Sequence, residues 1–381
     1  MTDAAAPSLA PSHRWLSTVL VLGLASCGGA PRDDEETSPG VQTAELAATT
    51  RVRLMAANIS SGNAQSYDPG EGIRIFQGVK PDVVMIQEFN YKSNTDADLR
   101  SFVTTAFGSG YAYYRETGAQ IPNGVISRYP IIASGEWKDT QVSNRDFAWA
   151  RIDIPGPKDL WVVSVHLLTS GSGVRNTEAT NLVSYIKSNV PAGDFLAIGG
   201  DFNSDSRGEA LFSTFGSVVS TASPYPADKN GNVNTNASRA KPYDHVLVSS
   251  NLRAYQTSTV IGSSSFSAGL VVDTRVYSPL ADISPAKSAD SGATNMQHMA
   301  IVKDFLVPSD GSGGGSDGGG DNGGGGTGSS KVILNEVLAN EAGSDVNGEF
   351  IELVNTGTAA ADLSGWTLSD ATATRHTFPS G

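Results

Sequence analysis

Short apolar runs recur along residues 51–307 and alternate with segments typical of helices. Six of the runs are strand-like: Val52–Ala57, Val83–Ile86, Gly124–Ile126, Trp161–Val165, Phe195–Ile198 and His245–Val248. Three segments between them predict helices: Ile73–Val79 before Pro81, Thr95–Phe107, and Asn176–Val190 before Pro191. Strands interleaved with helices over this length predict a single α/β domain of layered sheets.

A glycine-rich stretch separates this domain from a second pattern. Residues 308–330 hold 12 of the 42 glycines of the chain, which predicts a flexible linker. Strand-like runs then return at Val332–Leu334, Phe350–Val354 and Trp366–Leu368, with turn signals between them. Residues 331–381 therefore predict a small all-β module.

The N-terminus has the features of an export signal. The apolar run Trp15–Ala25 is too short for an ordinary membrane span but is typical of a signal peptide. It leads into Leu24-Ala25-Ser26-Cys27, which resembles a bacterial lipobox, and Cys27 is the only cysteine. We expect residues 1–27 to be a lipoprotein-type signal peptide with lipidation at Cys27, and the alternative is an ordinary cleaved signal. Both interpretations place the mature protein outside the cytoplasm, and the absence of Asp after Cys27 favours the outer membrane.

The negative charge of the chain is unevenly distributed. A formal net charge of −13 over 381 residues argues against a polyanionic partner. However, residues 50–307 contain 22 basic and 23 acidic residues, a net −1, and the flanks carry the remaining −12. Residues 28–49, which include the acidic run Asp33–Glu36, predict a disordered tether. A near-neutral α/β domain does not exclude a polyanionic partner.

Polar side chains stand at the ends of the strand-like runs. Asp201 and Asn203 follow Phe195–Ile198 through Gly199-Gly200, a pair that predicts a sharp turn presenting both side chains together. Other runs have a polar residue at one end: Asn58, Glu88, His166, Asp244 and His298. Each one alone is also compatible with a turn, a cap or a packing position. Since ligand sites of layered α/β folds gather at strand ends, their joint occurrence predicts one site.

The order of these residues resembles the endonuclease/exonuclease/phosphatase superfamily, whose DNase I-like fold is a four-layer α/β sandwich. The motifs that carry the resemblance are AANIS at Asn58, VMIQEF at Glu88, NGVISRYPI at 123–131, VVSVHL at His166, GGDFNSD at Asp201, YDHVLVS at Asp244 and QHMAIV at His298. The resemblance implies a domain over residues 50–307 that hydrolyses phosphate esters with a divalent metal.

The resemblance also implies a role for each catalytic side chain. Asp201 and Asn203 position the attacking water and hold phosphate oxygens. Asp244 orients His298, which acts on the nucleophile or binds phosphate. His166 contacts phosphate or protonates the leaving oxygen, and which imidazole is base and which is acid stays open.

The implied metal site has one departure from the family pattern. Glu88 is the implied main ligand of Mg²⁺ or Mn²⁺, and Asn58 lies beside it on the metal or on a phosphate oxygen. Gln297 stands directly before His298, where the family usually has Asp. An amide is a poor ligand for a hard cation, so a second metal site at this position is not expected.

Three further groups of side chains have open roles. Glu116 and Asp146 are candidates to orient His166. Seven basic residues are candidates to contact nucleic acid: Arg128, Arg145, Arg151, Arg175, Arg207, Arg239 and Lys241. Three tyrosines are candidates either to stack on bases or to pack in the core: Tyr111, Tyr113 and Tyr114.

Residues 331–381 resemble the start of a lamin tail domain, an immunoglobulin-like β-sandwich. The matching stretches are Ile333–Val337, Gly348–Asn355 and Asp362–Trp366. Because such a sandwich needs about 100 residues, we expect the module to continue beyond residue 381. The resemblance implies a module that binds a surface partner, and an unrelated β tail is the alternative.

The leading hypothesis is a secreted or surface-anchored, metal-dependent nuclease that cleaves DNA or RNA. A phospholipid or phosphoinositide phosphodiesterase or phosphatase on the same fold is the first alternative. A non-catalytic surface-binding protein is the second, and Gln297 is the only residue that supports it.

Overall fold

The computed structural model describes residues 49–309, 332–338, 350–355, 363, 366–369 and 374–378. The predicted signal peptide with Cys27, the acidic tether up to residue 48 and linker residues 310–330 lie outside the described residues. No helix within the described ranges is long and apolar enough to cross a bilayer. The chain divides into two units, and the larger one contains residues 49–309.

Two β-sheets form the centre of the larger unit. The strands of the first sheet are β1 (Thr49–Ala57), β2 (Val83–Ile86), β3 (Ala112–Arg115), β4 (Gly124–Ser127), β10 (Gln256–Thr257), β13 (Leu270–Val272) and β14 (Ala300–Pro308). Their order is β10-β14-β1-β2-β4-β3, and β13 also pairs with β14. The second sheet contains, in spatial order, β5 (Ile131–Trp137), β6 (Phe147–Ile152), β7 (Leu160–His166), β8 (Phe195–Asp201) and β9 (Asp244–Val248). A separate hairpin is formed by β11 (Thr259–Ile261) and β12 (Ser264–Phe266).

Five α-helices connect these strands. They are α1 (Glu71–Val79), α2 (Asp96–Phe107), α3 (Ser172–Asn189), α4 (Ala210–Phe215) and α5 (Ser250–Arg253), and two short 3-10 helices span Leu280–Ile283 and Asp290–Gly292. The predicted start of α2 is confirmed, because Thr95 accepts the Asp98 N–H at 3.2 Å and Asp98 accepts the Thr95 N–H at 3.4 Å. Helix α3 begins four residues earlier than predicted.

Successive residues of each strand point to opposite faces of its sheet, so one face packs on helices and the other packs on the second sheet. Leu54 and Ala56 of β1 pack towards the second sheet, whereas Met55 and Ala57 pack against α1 and α2. In the second sheet, Val162 and Ala197 face the first sheet. Their neighbours Val163 and Ile198 face α3 and α4. The result is helix, sheet, sheet and helix in layers, which confirms the predicted four-layer α/β sandwich.

The Gly199-Gly200 pair is not a turn, contrary to the prediction. Strand β8 continues through it to Asp201, paired with β7 and β9 on either side. Both positions lack room for a side chain: a Cβ on Gly199 would lie 2.5 Å from Met85 Cε, and one on Gly200 would lie 2.1 Å from the Val165 carbonyl. Gly200 also has φ +139°. The glycines therefore allow close packing beneath the strand end.

The smaller unit contains β-strands only within its described residues. Strand β15 (Val332–Leu338) pairs antiparallel with β16 (Phe350–Asn355), and β17 (Thr367–Ser369) pairs with β18 (Thr374–Thr377). The predicted all-β module is confirmed, although β18 has no counterpart among the predicted strands.

Candidate active site

Strand register brings the polar strand ends to one edge. His166 pairs with Asp201 across parallel β7 and β8, and Asp201 pairs with Asp244 across antiparallel β8 and β9. In the other sheet, parallel β1 and β2 end side by side, so that Asn58 and Glu88 follow neighbouring strand ends. His298 precedes β14, which runs antiparallel to β1. The sequence-predicted residues therefore meet where the two sheets face each other.

Asp201 is the centre of this cluster. Its Oδ2 lies 3.1 Å from Asn58 Nδ2, 3.3 Å from Asn203 Nδ2, 3.3 Å from His166 Nε2 and 3.4 Å from His298 Nε2. Its side chain is only 1% exposed. Burial raises its pKa to about 6, although the positive charge of His298 opposes that rise. Asp201 is therefore a buried carboxylate surrounded by four nitrogen donors.

Asn203 reaches Asp201 through a tight turn, and not through the alternation of an extended strand. Its backbone has φ +48°, and its N–H donates to Asp201 Oδ1 at 2.8 Å. Its side-chain Nδ2 also donates to the Leu167 carbonyl at 2.9 Å. The prediction placed the two side chains together correctly, but the local conformation it assumed was wrong.

Glu88 is the second carboxylate that accepts a hydrogen bond from Asn58. Asn58 Nδ2 donates to Glu88 Oε1 at 3.2 Å, Gln65 Nε2 donates to the same oxygen at 3.0 Å, and the Ser60 hydroxyl donates to Oε2. Burial raises the pKa of Glu88, and its hydrogen bond with Ser60 acts in the opposite direction. Glu88 has φ +51°, so the chain turns directly after β2 to direct the carboxylate into the cluster.

His298 lies between two carboxylates. Its Nδ1 is 3.1 Å from Asp244 Oδ2, and its Nε2 faces Asp201. Burial alone would lower the pKa of His298, but the negative charges of Asp201 and Asp244 outweigh burial and raise the pKa to about 10. His298 is therefore an imidazolium at neutral pH.

His166 is the electrostatic opposite of His298. Burial, followed by the positive charge of Arg145, lowers the pKa of His166 well below its ordinary value, so this imidazole is neutral. Its Nδ1 has no hydrogen-bond partner among the described residues. Glu116 and Asp146 therefore do not orient it: Glu116 accepts the backbone N–H groups of Asn123 and Asp146, at 2.7 and 2.9 Å.

Several residues that support the site were not predicted in that role. Arg145 donates to the carbonyls of His166 and Leu167 and so fixes the end of β7. The Tyr67 hydroxyl lies 3.1 Å from both the Ala57 and Gln87 carbonyls and joins the ends of β1 and β2. Ser60 lies within the AANIS motif and Gln87 within the VMIQEF motif. This position was the only signal for either residue in the sequence.

The basic and aromatic candidates all have partners within the protein. Arg128 pairs with Asp82 before β2 and Arg151 with Asp159 before β7, at the strand ends opposite to the site. Arg145, Arg175, Arg207 and Arg239 are held by protein carbonyls or carboxylates, and Lys241 pairs with Asp205. Tyr111 donates to the Pro81 carbonyl, Tyr113 packs against the α1–α2 core, and Tyr114 donates to Glu136.

The donor set fits a hard divalent cation. The carboxylates of Glu88 and Asp201 flank Asn58, whose Oδ1 is buried without a hydrogen-bond partner in the described part of the chain. A second possible set is Asp201, Asp244 and His298, whose ligating atoms lie within 4.8 Å of one another. Mg²⁺ prefers oxygen ligands, and His298 is already placed between two carboxylates, so Glu88 and Asn58 fit such an ion better. Gln297, at the departure from the family pattern, is exposed and outside both sets.

His245, next to Asp244, makes the fold sensitive to acid. It packs against Phe202 and Phe212, with ring centroids 5.0 and 4.8 Å away. Burial, with a smaller effect of Arg207, lowers its pKa to about 3. In the unfolded chain, His245 is protonated below about pH 6.5, whereas in the folded chain it stays neutral down to about pH 3. Protonation between these two pH values therefore favours the unfolded state.

We expect this difference to cost about 2 kcal/mol of stability on going from pH 7.5 to pH 5. Urea unfolding at the two pH values checks it, with His245→Phe as the variant that lacks the titrating group. The variant should lose less stability on acidification than the parent chain by that amount. An equal loss in both proteins would show that His245 is not responsible.

Two protein-family models match the chain. The model of the Endonuclease/Exonuclease/phosphatase family matches residues 55–310, and that of the Lamin Tail Domain matches residues 326–381. No curated protein matches the chain. Among solved structures, an endonuclease/exonuclease/phosphatase from Bacteroides vulgatus is 16% identical, with 68% of this chain and 99% of that chain covered and a TM-score of 0.46. A truncated TDP2 from Caenorhabditis elegans is 15% identical, with 68% and 98% covered and a TM-score of 0.43.

The first family match is decisive because of its extent. It spans about two thirds of the chain and contains the strand ends that carry Asn58, Glu88, His166, Asp201, Asn203, Asp244 and His298. With its buried Asp-Asp-His cluster at that edge, the chain belongs to the endonuclease/exonuclease/phosphatase family and is a metal-dependent phosphoric ester hydrolase.

Proposed function

We propose that this protein is a divalent-metal-dependent nuclease, active outside the cytoplasm, that hydrolyses phosphodiester bonds of DNA or RNA. The observation that carries the proposal is the convergence of two imidazoles and two amides on the Asp201 carboxylate. Such a set of donors suits a phosphoryl group whose oxygens gain negative charge during the reaction.

The different charge states of the two imidazoles support different roles. His298 is cationic and held by Asp244, so it stabilises negative charge on a phosphoryl oxygen and has a proton to give. His166 is neutral, and its Nε2 faces Asp201, which favours the tautomer with hydrogen on that nitrogen. It therefore acts as a hydrogen-bond donor to the phosphoryl group, and not as a second cation.

Asp201 is the proposed general base. It is a carboxylate whose pKa of about 6 lies closer to neutrality than that of an ordinary Asp, so it accepts a proton more readily. Asn203 fixes the carboxylate through its backbone N–H and offers its side-chain amide to the phosphoryl oxygens. Asp201 and Asn203 orient the attacking water, and Asp201 takes its proton as the new P–O bond forms. The P–O bond to the leaving oxygen breaks in the same step, and protonated His298 has a proton for that oxygen.

Mg²⁺ or Mn²⁺ would be held by Glu88 and Asn58, with Asp201 adjacent. When bound, the cation supplies positive charge that neutralises the scissile phosphate. That charge is needed, since the domain itself has a net charge near zero.

The surroundings of the site favour a nucleic acid over a lipid. Among the described residues, the large apolar side chains that are exposed are Ile132, Val260 and Trp366. Ile132 lies on β5 near the strand ends opposite to the site, because its neighbour Ile131 pairs with Ile152, which pairs with Leu160 at the start of β7. At the site itself, the partly exposed residues are polar, such as Gln65, or aromatic, such as Tyr243 over His298. A lipid-specific enzyme would need an apolar surface beside the site.

The proposed location rests on the sequence of the N-terminus. Lipidation of Cys27 would attach the enzyme to the bacterial cell surface, and the tether and linker would keep it extended from the membrane. The lamin tail module would bind a surface partner and take no part in catalysis.

Side-by-side assays of plasmid nicking and lipid headgroup release test the proposal. They use the full chain with Mg²⁺, with Mn²⁺ and with a chelator, and the variants His298→Ala and Gln297→Ala. We expect metal-dependent nicking that His298→Ala abolishes and Gln297→Ala leaves intact, since the Gln297 side chain is exposed beside the cluster. Headgroup release without nicking would assign the enzyme to lipids, and neither activity in any metal would leave only a binding role.

A further inference from the structure

A polar pocket lies on the flank of the sandwich, away from the active site. Its volume is about 160 Å³, and its lining includes Val248, Arg253, Gln256, Ser267 and Lys303. Val248 ends β9 of the second sheet, and Lys303 belongs to β14 of the first sheet. The pocket therefore opens where the edges of the two sheets meet. A cavity of this size accommodates a ligand of about six non-hydrogen atoms.

Two positive charges face this pocket without a compensating negative charge. Lys303 and Arg253 are the charged residues of the lining, which contains no Asp or Glu. Neither side chain forms an ion pair with the described residues, and Lys303 Nζ donates no hydrogen bond to them. Burial, followed by the positive charge of Arg253, lowers the pKa of Lys303 to about 8. Two like charges in a partly enclosed space are unfavourable until an anion joins them.

The rest of the lining holds these charges in place and adds neutral donors. Arg253 donates to the Ser220 hydroxyl and, at 3.2 Å, to the Ser223 carbonyl, so its guanidinium is positioned without being neutralised. The stem of Lys303 passes Gly269, where a Cβ would lie 2.9 Å from Lys303 Cγ. Gly269, with φ +102°, thus leaves room for the stem to reach the pocket. Gln256 and Ser267 contribute further polar groups.

We propose that this pocket is a second anion site, which binds a phosphate group between Lys303 and Arg253. A tetrahedral phosphate presents oxygens in several directions and so engages an ammonium, a guanidinium and neutral donors together. A planar carboxylate has only two oxygens and satisfies fewer of them. The phosphate comes either from free inorganic phosphate or from the backbone of a nucleic-acid strand.

The pocket is separate from the catalytic cluster. Lys303 lies five residues along the chain from His298, and Val248 lies four residues from Asp244, which places the pocket roughly 15 Å away at the rise of a β-strand. A phosphate bound there touches none of the active-site residues. The proposal therefore does not depend on which substrate the enzyme cleaves.

Calorimetric titration of the full chain with inorganic phosphate, in the presence of chelator, tests the site. We expect Lys303→Met and Arg253→Gln each to weaken binding at least about tenfold, since each removes one of the two charges. Lys187→Met, at an exposed position on α3, is the matched control and should bind as the parent does. His298→Ala should also retain this binding, which distinguishes the pocket from phosphate bound at the active site. Sulfate should compete, and acetate at equal ionic strength should not.

Substrate kinetics identify the source of the phosphate. If a strand occupies the pocket, Lys303→Met raises KM for a long duplex but not for a small phosphodiester. If free phosphate occupies it, both KM values stay unchanged while the calorimetric effect remains. Unaltered phosphate binding in folded Lys303→Met and Arg253→Gln, or competition by acetate as strong as by sulfate, would overturn the proposal.

Discussion

Replacing Asp201 by Asn should reduce kcat for phosphodiester hydrolysis by roughly 10³-fold. The substitution keeps the shape of the side chain but removes the proposed base. It also places an NH₂ or a neutral oxygen where Asn58, Asn203 and the two imidazoles now direct their N–H groups. The donors around this position would then lack the charge that orients them.

Asp205→Asn is the matched control for this variant. Asp205 lies four residues further along the same segment, its side chain is 56% exposed, and its partners are Lys241 and Arg175. Its loss should leave kcat nearly unchanged. Steady-state kinetics on both variants check this, with circular dichroism to verify folding.

A second readout separates a catalytic role of Asp201 from a structural one. The charge of Asp201 is the largest single contribution that raises the pKa of His298, so the pKa of that imidazole should fall in Asp201→Asn. NMR titration of the histidine measures it. Activity within a few-fold of the parent, with an unchanged His298 pKa, would contradict the role given to Asp201.

The sequence revealed the site more completely than the fold, because strand ends carry a local signal. An apolar run that stops at a polar residue is visible without knowing its partners, and this marked Asn58, Glu88 and His166. Their proximity follows from register, for example the pairing of His166 with Asp201. Register depends on residues far apart in the chain, so it became predictable only through the family resemblance.

Strands that lack a continuous apolar run were not predicted. Strand β5 alternates half-buried and exposed residues, and β3 is half-buried throughout, so neither forms an apolar run. Strand β8 extends through two glycines, and Met85 and the Val165 carbonyl occupy the space that side chains at these positions would need, which is a tertiary effect. The charge states of the two histidines could not be predicted either, since they depend on which charges lie beside each ring.

Glu88→Gln should weaken binding of a divalent cation by about 100-fold or more, because it removes a carboxylate from an oxygen-rich site. Asn58, Gln65 and Ser60 converge on Glu88, so the neutral amide would meet donors at both ends. Calorimetry or electron paramagnetic resonance with Mn²⁺ measures the affinity without relying on turnover. Glu71→Gln is the control, since Glu71 lies outside the cluster, where its carboxylate accepts a hydrogen bond from the Ser61 hydroxyl at 2.8 Å.

The same measurement on Asp244→Asn decides between the two possible ligand sets. If Glu88 and Asn58 hold the cation, Asp244→Asn should change Mn²⁺ affinity little, while it lowers kcat because His298 loses its orienting partner at 3.1 Å. If instead Asp201, Asp244 and His298 hold it, Asp244→Asn should weaken Mn²⁺ as strongly as Glu88→Gln does. We expect the first result. A cation bound to His298 would have to displace the proton that Asp201 and Asp244 stabilise on that ring, whereas a cation bound to Glu88 and Asn58 leaves that proton in place.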